Sequence, residues 1–191
     1  MKKIQNITKR FAAFTLIELL VVISIIAILA SLALPAVTGA LVKGQIAQTV
    51  SNYRQLYVLT QSAALDSQTA GGVGAFPGDV TNVANWSNAL VPAYCSSNTF
   101  NSMGAVKGLA TNTTVWLVKS SEDPSTVFLS TAGIGGSAGS GTLTITATGP
   151  YGNKGGAFVN ISGSAVSITG TNSPTLTNGS ALLTTNSSAP F

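Results

Sequence analysis

The sequence predicts an α+β chain in which one long N-terminal helix, membrane-spanning in its first half, packs its second half on a C-terminal antiparallel β-sheet. Three observations predict it. Residues 14–37 read FTLIELLVVISIIAILASLALPAV, with a single charge. Apolar side chains then recur every three or four positions to about residue 66. Beyond that, short β-branched runs alternate with Gly, Ser, Thr and Asn. The expected organisation is a basic leader at 1–13, a helix at 14–66 divided into a transmembrane half (14–35) and an amphipathic half (36–66), and an extracytoplasmic β-rich globular domain at 67–191.

The leader holds Lys2, Lys3, Lys9 and Arg10, and it accounts for the whole net charge of +4, because cations and anions balance from Phe14 onward. The sequence pI near 9.4 therefore gives no reason to expect a nucleic-acid partner. Cations flanking an apolar run stay on the cytoplasmic side, so these four residues are topogenic and the rest of the chain is expected on the far side of a lipid bilayer.

Residues 14–34 would form a helix about 32 Å long at roughly 1.5 Å per residue, enough for a hydrocarbon core of about 30 Å. A cleavable signal peptide ending at Ser31-Leu32-Ala33 is the alternative, but its apolar core would be unusually long and would contain a carboxylate. That carboxylate, Glu18, costs on the order of 3 kcal/mol in a membrane and calls for a partner. A chain cut just before Phe14 would supply one, since the new α-amino group lies one helical turn away, in the same chain or a neighbour. Snorkelling of Glu18 to the headgroups is the other reading. Pro35 removes a backbone hydrogen bond, so the helix is expected either to kink or melt near residues 31–35 or to end there.

Lys9-Arg10-Phe11-Ala12-Ala13 followed by Phe14-Thr15-Leu16-Ile17-Glu18-Leu19-Leu20-Val21-Val22-Ile23 resembles a type IV prepilin leader, with Ala13 standing where that family usually has Gly. The resemblance implies cleavage between Ala13 and Phe14 by a prepilin peptidase and N-methylation of Phe14. It also implies a single-pass inner-membrane subunit, cytoplasmic at its N-terminus, that polymerises with identical and related subunits on an inner-membrane assembly platform. Pro35 also has a counterpart in related subunits, whose helices stretch in the filament.

Along the second half of the helix, Val42, Ile46, Val50, Tyr53, Tyr57 and Thr60 or Ala64 form the apolar stripe. The whole helix would measure roughly 80 Å at about 1.5 Å per residue. Residues 69–79 then read as a Gly-rich stop and loop, and the Phe76-Pro77 pair in it resembles major pseudopilins of type II secretion systems. Residues 80–109 give no clear periodicity; Trp86, Leu90, Val91, Tyr94 and Phe100 suit a short helix and loop covering the sheet. Strands are expected at 113–118, 126–130, 142–148, 157–162, 165–169 and 181–185, with Gly163-Ser164 as a hairpin turn and 133–141 as a flexible linker.

Catalysis finds little support. The chain has no histidine, only five acidic residues and one cysteine, Cys95. Histidine-dependent triads are therefore excluded, and Cys95 has no histidine to activate it. No carboxylate side chain follows Asp123, so calcium beyond it would need carbonyls alone. No metal, no cofactor and no enzymatic activity are expected. The expected role is a pseudopilin of a type II secretion pseudopilus, with a surface type IV pilin or a monomeric membrane-anchored binding domain as alternatives.

Overall fold

The computed structural model describes residues 14–72, 74–105, 112–136, 143–145, 149–170 and 188–190. Its first element is α1, Leu16–Thr69, a helix of 54 residues with Pro35 inside it. The chain divides into two compact units, 1–40 and 41–191, and α1 contributes to both. In the first unit every side chain from Phe14 to Val37 is exposed.

The second unit carries a five-stranded antiparallel sheet. Its strands are β1 (Thr113–Trp116), β2 (Val127–Thr131), β5 (Gly155–Asn160), β6 (Ala165–Thr169) and β7 (Ser188–Pro190), in the order β6-β5-β2-β1-β7. The inner strands β2 and β5 are buried along their whole length, as their Val, Phe, Leu and Ala content requires. A register shift between Val127 and Leu129 marks a bulge in β2. A separate two-stranded ribbon pairs β3 (Ile134–Gly136) with β4 (Leu143–Ile145).

The rest of α1 lies on this sheet. It buries Ile46, Thr49, Tyr53, Leu56, Thr60, Ala63 and Ala64, with Val42, Val50 and Tyr57 partly buried, so the apolar stripe lies where the spacing put it. Polar members of the seam are paired. Tyr53 Oη and Thr113 Oγ1 are 3.1 Å apart, Thr49 Oγ1 bonds Tyr151 Oη, and Trp86 Nε1 donates to Thr60 Oγ1 at 3.0 Å. Each such pair is worth about 1 kcal/mol net but leaves a larger penalty if one partner is lost, so the three pairs hold the helix in register against β1, α2 and the segment before β5.

The stop after α1 is a Schellman turn. Gly71 takes φ +82°, Gly72 N donates to Ser67 O at 2.7 Å and Gly71 N to Gln68 O at 3.1 Å. The following loop folds back on the chain after β1. Phe76 enters the core between Tyr57 and Phe128, Gly78 N donates to Val118 O at 2.8 Å, and both Asp79 carboxylate oxygens accept from Ser120 N. A Cβ on Gly78 would stand 2.6 Å from the Val118 carbonyl carbon, so only glycine permits this approach. Two short helices, α2 (Val83–Leu90) and α3 (Ser97–Ser102), then place Trp86 and Phe100 edge-on to each other, with Trp86 also against Phe128.

Several expectations need correction. The helix does not end at Pro35 but continues to Thr69, three residues past the expected stop. Residues 134–136 are strand β3 rather than linker, because Ile134 is buried and pairs with Ile145. The stretch expected as one strand at 142–148 is strand only at Leu143–Ile145 among the described residues, and it belongs to the ribbon. The β5–β6 turn is longer than Gly163-Ser164, since Asn160 N bonds Ser164 O and Asn160 Oδ1 accepts from Ser164 N. Strand β7 was not anticipated. The strand expected at 181–185 lies outside the described residues.

Candidate assembly site

The N-terminus of α1 is built by two residues. Thr15 is the N-cap, and Glu18, three residues on, reaches back to it. Glu18 Oε2 accepts from Thr15 N at 2.8 Å and from Thr15 Oγ1 at 2.7 Å, while Glu18 N donates to Thr15 Oγ1 at 3.3 Å. This is a reciprocal capping box, which satisfies two of the orphan donors at a helix start. It matters here because water is absent from the hydrocarbon core and an orphan donor costs several kcal/mol there. Sequence reasoning gave Glu18 the Phe14 amine, in the same chain or a neighbour, or the lipid headgroups, but not Thr15. The missed signal was Thr-x-x-Glu immediately ahead of an apolar run.

The capping box uses one carboxylate oxygen. Glu18 Oε1 has no hydrogen bond among the described residues, and the side chain lies on the face shared by Phe14, Ile17, Val21 and Val22. An external cation can therefore reach Oε1 without dismantling the cap. Phe14 itself precedes the helix and is 75% exposed. Ala13, Lys2, Lys3, Lys9 and Arg10 lie outside the described residues.

Further along the helix the hydroxyls turn inward on their own backbone. Ser24 Oγ donates to Leu20 O, Ser31 Oγ to Ile28 O and Thr38 Oγ1 to Pro35 O. Such back-bonding satisfies a hydroxyl in a medium that offers no water. Pro35 has no N–H to give the Ser31 carbonyl, so the helix passes this point one bond short. Among the described residues α1 is the one helix long and apolar enough to cross a membrane, judged by length and composition.

The remaining chemistry-bearing side chains are occupied by local structure. Asp66 accepts from Tyr94 Oη, Glu122 Oε1 accepts from Lys119 N at 3.1 Å, and Asp123 Oδ1 accepts from Ser125 N at 2.8 Å. Cys95 is half-buried, and burial pushes its thiol above the usual range, away from the reactive thiolate. Among the described residues no group of three His, Cys, Asp or Glu side chains is placed to hold a metal ion.

A long apolar helix capped by its own carboxylate, whose second half lies on an antiparallel sheet, is a pilin-like α+β architecture. Residues 8–34 match the family model of the prokaryotic N-terminal methylation motif, the type IV prepilin-like signature. No curated protein and no solved structure matches the chain. The motif supports a type IV pilin- or pseudopilin-like protein, and the type IV pilin-like family is a structural one. It implies processing by prepilin peptidase and filament assembly, and together with α1 it indicates membrane anchoring.

Proposed function

We propose that the chain is a pseudopilin, cut between Ala13 and Phe14, N-methylated on Phe14 and assembled into the pseudopilus of a type II secretion system. The observation that carries the filament reading is the methylation motif at residues 8–34, whose helical part leaves its apolar side chains exposed among the described residues. Cleavage creates an ammonium at Phe14. On this reading the ammonium of a neighbouring subunit takes the open Glu18 oxygen, and Thr15 holds the carboxylate in place to receive it. A subunit packed in a wrong register leaves that carboxylate buried and unpaired at a cost of several kcal/mol, so the charge selects the register. Lys2, Lys3, Lys9 and Arg10 hold the leader on the cytoplasmic side for the peptidase, and Pro35 gives the helix a point at which to yield during packing. The Phe76-Pro77-Gly78 loop after α1 and the lack of a second cysteine favour secretion over a surface pilus.

The test is intact mass and N-terminal sequencing of protein from its own membranes, with the prepilin peptidase present and deleted. Expected is a chain starting at N-methylated Phe14 only when the peptidase is present. A chain starting at Leu34, or one left uncut in both strains, overturns the reading. Glu18→Gln should then be cleaved normally yet give few filaments. A gene neighbourhood with a retraction ATPase and no secretin would move the assignment from pseudopilus to pilus.

A further inference from the structure

The two edges of the five-stranded sheet are finished differently. At one edge, β7 is three residues long and contains Pro190, a residue that sheets confine to their edges and that guards them against further pairing. At the other, β6 reads Ala165-Val166-Ser167-Ile168-Thr169, with neither a charge nor a proline, so this edge is unguarded. Its pairing with β5 is bounded by Asn160 N donating to Ser164 O at 3.1 Å and Gly170 N to Lys154 O at 3.4 Å. Bonded partners in an antiparallel pair recur at every second residue. Val166 and Ile168 therefore bond β5, and Ala165, Ser167 and Thr169 turn their N–H and C=O groups outward. Among the described residues no strand covers this row. Arg54 Nη2 donates to one of its carbonyls, Ala165 O, at 3.3 Å.

The outward row borders a groove of about 540 Å³ whose floor is Ala47 and Val50 of α1. Lys43 and Arg54 line it, and both are exposed. Arg54 stands at the Ala165 end. Ile46 packs beside Gly155, which pairs with Thr169, so Lys43 stands toward the Thr169 end. The two cations are about 16 Å apart along the helix at roughly 1.5 Å per residue. A strand the length of β6 spans about 17 Å, so they bracket it.

An occupant has to meet both features. Main-chain groups along an open edge are matched by an extended segment, which adds a strand, and cations at its two ends are matched by carboxylates. This chain's own acids are placed otherwise. Glu18 lies in the apolar half of α1, and Asp66 lies near the end of α1 and accepts from Tyr94 Oη. Asp79, Glu122 and Asp123 lie in turns and accept from Ser120 N, Lys119 N and Ser125 N. Residues 171–191 contain no charged side chain. We propose that the outward edge of β6 binds an extended acidic segment of a different protein, as an added strand whose carboxylates meet Lys43 and Arg54. Carboxylates four residues apart match the groove, because an even spacing keeps both on one face and spans about 14 Å, within reach of the two long side chains. The site is complete in a single subunit and goes beyond the filament reading.

The test is fluorescence anisotropy with the full chain in detergent and a labelled, end-capped seven-residue peptide of alternating Thr and Val, with Glu at its second and sixth positions. Saturable binding is expected, and replacing both Glu by Gln should weaken it at least ~tenfold. N-methylation of one alternate set of peptide amides should also weaken it at least ~tenfold, while methylation of the other set leaves it within about twofold, because only one set faces β6. In the chain, Lys43→Gln with Arg54→Gln should reproduce the loss seen with the Gln peptide. Ser167→Pro removes an outward N–H and should reproduce the loss seen on methylation, at an unchanged unfolding midpoint. Equal binding of the two methylated peptides shows a plain anion site, such as one for a lipid headgroup, and overturns the proposal. Equal binding of the Glu and Gln peptides overturns it, as does no binding at all. Self-association of the chain that Ser167→Pro abolishes makes a second copy the occupant and overturns it too. None of these results touches the filament reading, which is decided by processing at Phe14.

Discussion

The two halves of α1 show the same secondary structure supported in opposite ways. From Leu41 onward the helix is half of a finished interface, with Tyr53 and Leu56 fully buried and its buried hydroxyls bonded across to β1, to α2 or to Tyr151 ahead of β5. From Leu16 to Val37 every large apolar side chain is exposed, and the polar groups bond only within the helix. The first half therefore leaves apolar area on the scale of 25 cal/mol per Å² to be buried by something outside the chain, whereas the second has already realised that gain. One helix joins a part packed on the sheet to a part whose apolar side chains are exposed among the described residues.

The largest effect that separates the two halves should come from Trp86→Ala. Its ring is buried against Phe100 and Phe128, and its N–H is bonded to Thr60, so truncation should cost about 3–5 kcal/mol. Urea unfolding of the full chain in detergent, followed by near-UV circular dichroism, checks it. Leu29→Ala is the matched control in the first half. It should move the same midpoint by less than about 0.5 kcal/mol, because Leu29 touches no core. A shift from Leu29→Ala comparable to that from Trp86→Ala would break the comparison. Gly78→Ala comes next, since the added methyl meets the Val118 backbone at 2.6 Å; about 2 kcal/mol is expected, together with faster proteolysis of the loop after α1.

What was legible in the sequence follows the same division. The first half announces itself because an uninterrupted apolar run has one physical meaning at that length, and Glu18 stands out against it. The stripe from Ile46 to Ala64 was legible from its period, and strands β1, β2, β5 and β6 from β-branched runs. Two things were hidden. The ribbon partner Ile134–Gly136 is glycine-rich, and its pairing with Leu143–Ile145 is a tertiary fact that glycine content obscures. At the site, the search for a cation to neutralise Glu18 drew attention away from a hydroxyl three residues before it, so the capping box with Thr15 was missed although its spacing was in plain view.

The smaller effects sharpen the comparison. Tyr53→Phe removes the bond to Thr113 and should cost about 1 kcal/mol near neutral pH. Burial holds the Tyr53 phenol well above its ordinary value, with Tyr151 adding to the rise and Thr113 opposing it. The unfolded phenol loses its proton above about pH 10 while the folded one keeps it, so the folded state binds more protons and stability falls as pH rises past that point. Tyr53→Phe lacks this liability, so its deficit relative to wild type should shrink between about pH 8 and about pH 11; a constant deficit would show that the phenol ionises equally in both states.

Thr15→Val is the last and subtlest probe, because it removes the hydroxyl of the cap while leaving the Glu18 charge in place. In the isolated subunit it should cost no more than about 1 kcal/mol at the helix start and leave the outer unit's unfolding midpoint unchanged. Any larger consequence must come from outside the chain. If the carboxylate held by Thr15 is what a neighbour's ammonium meets, filament yield should fall with Thr15→Val while processing at Phe14 is retained, and Thr15→Ser should restore it. Equal yields from Thr15→Val and Thr15→Ser would mean that Glu18 orients itself without the cap, and that the first half of α1 depends on its surroundings for apolar burial alone.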